Sequence, residues 1–151
     1  FFFGCISSVF ISSISNQTIE KNYPIYISKF TGMSKDEIIF REKLNMALKK
    51  QGYYTVNNFQ KSAYYLFYNF NNRSQQNLNQ NKKVDTFSIE LLLMDSEHII
   101  NSSDLPFDKD DALWVCKIEL SWLEFLKYQD ELVQAISKYF CSTYYGNRML
   151  F

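Results

Sequence analysis

Any chemistry in this chain would have to come from one histidine, three cysteines and a scatter of carboxylates. His98 is the only side chain whose ordinary pKa lies near neutrality. It stands beside Glu97 in a polar stretch, away from any Ser or Cys in a nucleophile motif, and reads as a solvated surface histidine. No GxSxG, HExxH or phosphate-binding glycine loop occurs. Cys5, Cys116 and Cys141 form no CxxC pair, and a zinc site needs about four ligands at short spacing. The run Asp108-Lys109-Asp110-Asp111 lacks the ligand and glycine pattern of an EF-hand loop, so it reads as a solvated acidic loop. Glu90 and Glu119 fall in predicted strands, where alternation supplies a solvent-facing side without a carboxylate pair. The sequence therefore assigns no catalytic residue, no metal ligand and no cofactor.

The elements that would position such groups fit one domain, since 151 residues is an ordinary domain length. Hydrophobic residues make up 46% and aromatics 18%, enough for a sheet-plus-helix core. Lys plus Arg balance Asp plus Glu at 16 each, so the basic excess of a nucleic-acid binder is missing. Cys116 and Cys141 allow two readings, a disulfide or two free thiols, with Cys116 in an apolar strand where a buried thiol is ordinary.

Local signals give the elements in order. Tyr23–Phe30 reads as a strand that Pro24 confines to a strand start or a sheet edge. Ser34 and Glu37 form a capping box, Phe40, Leu44, Ala47 and Leu48 recur at helical spacing, and Gly52 follows the helix end. Ala63–Phe70 and Val84–Met94 read as strands flanking a polar loop at Asn71–Lys83, which together suggest a long hairpin. After an acidic connection, Asp95–Ala112, comes a strand at Leu113–Leu120. Ser121 and Glu124 open a second capped helix with Leu123, Leu126, Val133, Ile136 and Phe140 on one stripe. The expected class is α+β: a mixed, mostly antiparallel sheet with two helices packed on one face, in the order β-α-β-β-β-α.

The first residues, Phe1-Phe2-Phe3-Gly4-Cys5, look like the end of an export signal. The Gly-Cys junction after bulky apolar residues resembles the bacterial lipobox, whose cysteine receives a diacylglycerol and becomes the new N-terminus. Cys5 is thus the expected lipidation site. The serines at 7, 8, 12, 13 and 15 and Asn16-Gln17-Thr18 suit a polar tether. The competing reading makes residues 1–14 a strand of the fold, since they are too few for a membrane span. The expected division is residues 1–22 as signal remnant and tether, 23–143 as the domain and 144–151 as a tail. A domain of that kind should fold without its first 18 residues. Ile6 stands where an aspartate would resemble an inner-membrane retention signal, so the outer membrane, facing the periplasm, is the expected location.

The same elements resemble those of small bacterial lipoproteins of uncharacterised role. The likeness runs through Gly4-Cys5, a strand near Tyr26 and the helix end Lys50-Gln51-Gly52-Tyr53. It continues through Ala63-Tyr64-Tyr65-Leu66, Glu90–Asp95, Leu113-Trp114-Val115 and Ile136-Ser137-Lys138-Tyr139-Phe140, covering most of residues 23–140. The order of elements is also similar to the N-terminal domain of the translocation protein TolB. The resemblance implies an envelope location and no catalytic residue. On the residues themselves, Tyr64, Leu66, Tyr68 and Phe70 share one strand face, which becomes an exposed interaction surface if helices cover only the other. The expected function is a lipid-anchored envelope module that binds a protein partner or copies of itself. The alternative is an envelope hydrolase with an unrecognised active site, which clustered carboxylates in one pocket would mark.

Overall fold

A computed structural model describes residues 8–29, 34–77, 82–101 and 109–149. Its six strands are β1 (Ser8–Ser15), β2 (Ile25–Lys29), β3 (Tyr64–Asn77), β4 (Lys82–Asp95), β5 (Trp114–Leu120) and β6 (Tyr144–Met149). The helices are α1 (Lys35–Lys50), α2 (Ser96–Asn101), α3 (Trp122–Lys127) and α4 (Gln129–Tyr139). They form one sheet in the order β2-β3-β4-β5-β1-β6. β2 and β3 are parallel, joined by a crossover through α1, and every other pairing is antiparallel. The expected mixed α+β class is the observed one.

α1 begins where the sequence requires. The Ser34 backbone N–H donates to Glu37 Oε2 at 2.6 Å, and the Glu37 N–H donates back to Ser34 Oγ at 3.4 Å. Two otherwise orphaned N–H groups are thereby satisfied, a device whose loss costs about 1 kcal/mol. Gly52, with φ +94°, turns the chain away from the helix end, a conformation that a side chain would strain. Phe40, Leu44, Ala47 and Leu48 then lie fully or almost fully buried against the sheet.

One face of the sheet carries the main core. Val9, Ile11, Ile25, Ile27, Leu66, Tyr68, Phe87, Ile89, Leu91, Leu93, Trp114, Cys116 and Ile118 meet α1, Phe125 of α3 and the Leu132/Val133/Ile136 stripe of α4. At its centre Phe40, Phe70, Phe87 and Phe125 pack with centroid separations of 5.1–5.9 Å. Tilted and edge-on contacts of this kind add about 1 kcal/mol per pair beyond the area they bury.

Several expectations need correction. Residues 8–15 are no tether: β1 lies between β5 and β6, one strand in from the sheet edge, with Val9, Ile11 and Ser13 turned into the core. The serines mislead because a buried hydroxyl is acceptable once bonded, and Ser13 Oγ donates to the Ser142 carbonyl at 2.8 Å. Residues 144–149 are no tail, since they pair with β1 along its length. The predicted loop at 71–83 is largely strand. β3 and β4 stay paired as far as Asn77↔Lys82, past Phe87↔Leu120, where β5 stops accompanying them. The predicted last helix is two helices broken at Tyr128, whose φ and ψ of −115° and 29° leave the helical range. Leu123 and Leu126, assigned to its buried stripe, are 77% and 48% exposed.

Candidate interaction surface

The residues proposed from the sequence, Cys5 apart, now have a place. Cys5 lies outside the described residues. Leu66 and Tyr68 are completely buried in the main core, and the Tyr68 hydroxyl donates to the Glu37 carbonyl at 3.3 Å. Burial, with Glu37 adding to it, pushes the Tyr68 phenol up to about 12. Phe70 is half-buried among Phe40, Phe87 and Phe125, and Tyr64 is half-buried with its ring 6.1 Å from Tyr23. The expected exposed face is therefore the helix-covered one. Alternation correctly grouped these four residues; it does not say on which side the helices land.

The groups weighed for chemistry are dispersed. His98 Nε2 lies 3.5 Å from Asp111 Oδ2, with both side chains substantially exposed. Asp110 and Asp111 sit in a single 3-10 turn, Lys109–Asp111, and Asp108 lies outside the described residues. Glu90 is the register partner of Lys117, whose ammonium is 3.4 Å from Glu119, so a lysine stands between the two carboxylates. Cys116 and Cys141 are free thiols, each held near 12 by desolvation. Among the described residues no three His, Cys, Asp or Glu side chains could share a metal ion. No helix of these residues is long and apolar enough to cross a membrane. The cleft between α1 and residues 56–57, lined by Ile27, Arg41, Glu42 and Asn45, is shallow and open to solvent.

The opposite face of the sheet divides in two. Over β3 and β4 a second, smaller core gathers Tyr65, Phe67, Leu92, Met94 and Ala112, with Ile99 of α2 packed on it. Over β1, β5 and β6 no described helix lies, and the residues there alternate outward: Phe10, Ser12 and Ile14 on β1, Val115, Lys117 and Glu119 on β5, Tyr145 and Asn147 on β6. Tyr145 is 78% exposed and meets Phe10 edge-on at 4.9 Å. Ile14, 55% exposed, stands opposite Val115. Sequence reasoning missed this surface because it assigned β1 to a tether and β6 to a tail. The available signal was the alternation of Val9 and Ile11 against Phe10, Ser12 and Ile14.

Local bonds hold β6 in place. After α4 the chain reverses at Cys141, whose φ of +59° is left-handed and costs a non-glycine residue about 1–2 kcal/mol. The Ser142 carbonyl accepts from Ser13 Oγ and, at 3.1 Å, from Trp114 Nε1, so β1, β5 and the turn are tied together. Tyr144 then stacks on Tyr139 at 4.0 Å, and Arg148 Nη1 donates to the Tyr139 hydroxyl at 2.9 Å. The two sheet edges differ. At β2 residues 54–56 bridge the start of the edge strand, with Ile25 N–H donating to Tyr54 O and Val56 N–H to Ile25 O, both at 2.9 Å. Beyond β6 no strand pairs among the described residues. An open edge of this kind is a template for pairing with another chain.

The sequence matches no family model and no curated protein. Solved structures are similar in fold. Two crystal forms of the PelC dodecamer from Paraburkholderia phytofirmans superpose with TM-scores of 0.53 and 0.52 at 10% identity. The matches span 85% and 84% of this chain and 96% and 94% of theirs. A PDZ domain protein from Parabacteroides distasonis aligns at a TM-score of 0.46 and 12% identity, over 94% of this chain and 38% of its own. A minor lipoprotein from Acinetobacter baumannii aligns at 0.39 and 14%, over 79% and 92%. At 10% identity the PelC likeness is one of fold.

Proposed function

We propose that this chain is a lipid-anchored protein of the bacterial envelope that works by contact, assembling with further copies of itself. The observation that carries the reading is the open half of the second sheet face. There Tyr145, Phe10 and Ile14 lie exposed or half-exposed and run on to β6, beyond which no described strand pairs. Aromatic side chains with a polar tip bury much area at little rotamer cost, which suits them to interfaces. PelC, which shares the fold, is a dodecamer, so this architecture is compatible with assembly of several copies. The anchor is Cys5, preceded by Gly4 and an apolar run, and Ile6 after it favours the outer membrane, facing the periplasm.

Light scattering on the full chain over a concentration series tests the assembly. Wild type should form a species of several copies, and Ile14→Ser with Tyr145→Ala should run as a monomer with the same far-UV spectrum. A wild-type monomer at every concentration, or a double variant that assembles unchanged, would rule out this face. The anchor is tested separately: Cys5→Ser should move the protein from the membrane to the soluble fraction, and the wild type should carry acyl mass.

A further inference from the structure

The bonds around β1 decide which backbone groups of β6 face outward. Ser15 N–H donates to Thr143 Oγ1 at 3.0 Å, on the β6 side of β1. Asn16 N–H donates to the Leu113 carbonyl at 2.9 Å, on the β5 side. In an antiparallel ladder the N–H and C=O of one residue point the same way, and successive residues alternate. Ser13, Ile11 and Val9 therefore turn theirs toward Tyr144, Gly146 and Arg148, their register partners. The N–H and C=O groups of Tyr145 and Asn147 are left pointing away from β1, where no strand pairs among the described residues. The Tyr144 hydroxyl donates to the Asn147 carbonyl at 3.3 Å, which takes one of that oxygen's two lone pairs and leaves the other.

Proteins ordinarily guard a sheet edge with charge, proline or a covering segment. The β2 end is guarded in this way. Residues 54–56 bridge its start, and Pro24 precedes it. Arg41 reaches from α1 round the edge to the Tyr26 ring, 5.3 Å from its centroid. On β6 the two outward-bonding residues, Tyr145 and Asn147, are uncharged and exposed. Its one charged residue, Arg148, is held on the helix side by the Tyr139 hydroxyl at 2.9 Å.

We infer that β6 pairs antiparallel with β6 of a second copy, about a two-fold axis at Gly146. The inference rests on the self-assembly reading and names its contact. The partner follows from the pattern of bonding groups. Tyr145 and Asn147 flank Gly146 symmetrically, so the axis sets Tyr145 of each copy opposite Asn147 of the other. Each such pair exchanges both of its N–H···O bonds. The guarded β2 offers no matching edge, so the contact is between like strands and closes on itself. The Gly146 backbones meet at the non-bonded position, where paired chains come closest, about 4.5 Å. Gly146, with φ +154° and no side chain, leaves that approach clear on the helix side. The open faces of the two copies then lie side by side as one surface, with a Tyr145 on each side of the axis.

Amide hydrogen exchange on the full chain, dilute and concentrated, reads the edge directly. In the assembled protein the Tyr145 and Asn147 amides should exchange about tenfold or more slowly than in the dilute one. The Gly146 and Arg148 amides, bonded to β1 in both states, should change little. A charge test reads the symmetry, because the axis brings the two Asn147 side chains diagonally across the junction. Asn147→Lys and Asn147→Glu should each self-associate about fivefold more weakly, and an equimolar mixture of the two should regain the wild-type association. Assembled protein whose Tyr145 and Asn147 amides exchange as they do when dilute overturns the edge pairing. So do charge variants that associate like wild type, or a mixture no tighter than its components. Each of these outcomes leaves assembly through the open face standing. A wild type that stays monomeric at every concentration removes the assembly reading and the inference together.

Discussion

Two aromatic patches of the same sheet meet opposite fates. On β3, Tyr68 and Phe70 lie beneath α1 and α3, packed with Phe40, Phe87 and Phe125. On β1 and β6, Phe10 and Tyr145 pair edge-on beneath no described helix. Residue type does not separate them, since each holds a tyrosine and a phenylalanine in alternating strands. What separates them is coverage. The crossover between parallel β2 and β3 must return α1 across one face, and α3 and α4 follow on that side. Among the described residues the other face is covered only where α2 and Ala112 reach it. An aromatic row thus becomes core or surface according to where the connections run.

The largest expected effect comes from removing the strand that joins the two regions. A chain beginning at Ile19 lacks β1, so β5 loses a partner and β6 loses its only partner among the described residues. It should show no cooperative thermal transition by circular dichroism. A sharp melt close to that of the full chain would return residues 8–15 to the role of a tether.

The next effect probes the covered patch. Phe125→Ala removes a fully buried ring that touches four aromatic neighbours and should cost about 3–5 kcal/mol in urea unfolding. A cost within the surface range of about 0.5 kcal/mol would mean that the covered patch is not core.

A smaller effect depends on pH. Burial raises the Cys116 thiol from its ordinary 9.0 to about 12, and the half-buried Cys141 likewise. The unfolded chain therefore releases these protons first as pH rises. Folded-state stability is fully present below pH 9 and is lost progressively toward pH 12. Tyr68 adds to the loss above its ordinary 10.0. Urea midpoints measured between pH 8 and 11 should fall, and Cys116→Ala should flatten the first part of the decline. A midpoint that holds steady would show the thiols ionising inside the native protein.

The smallest stability effect belongs to the open patch. Tyr145→Ala should shift the urea midpoint by no more than about 0.5 kcal/mol, because the ring is largely in water already. Its consequence should appear in assembly alone. A fall as large as that of Phe125→Ala would erase the distinction between the two patches.

Much of the local structure was determined by residues close together in the chain. Ser34 with Glu37 and Ser121 with Glu124 set two helix starts, and both capping boxes form. Gly52 sets the α1 exit, and alternation marks the strands at 25–29, 64–70, 84–94 and 114–120. These signals act over three or four residues, so the sequence carries them whole. Tertiary structure decided the rest. β1 is a strand because Ser13 and its neighbours meet partners at Cys116 and Ser142, the latter 129 positions away. Read without those partners, SVFISSIS is a serine-rich segment. The choice of covered face was likewise invisible in Tyr64, Leu66, Tyr68 and Phe70. A strand presents both of its faces equally, and only the packing of distant helices gives one of them to the core.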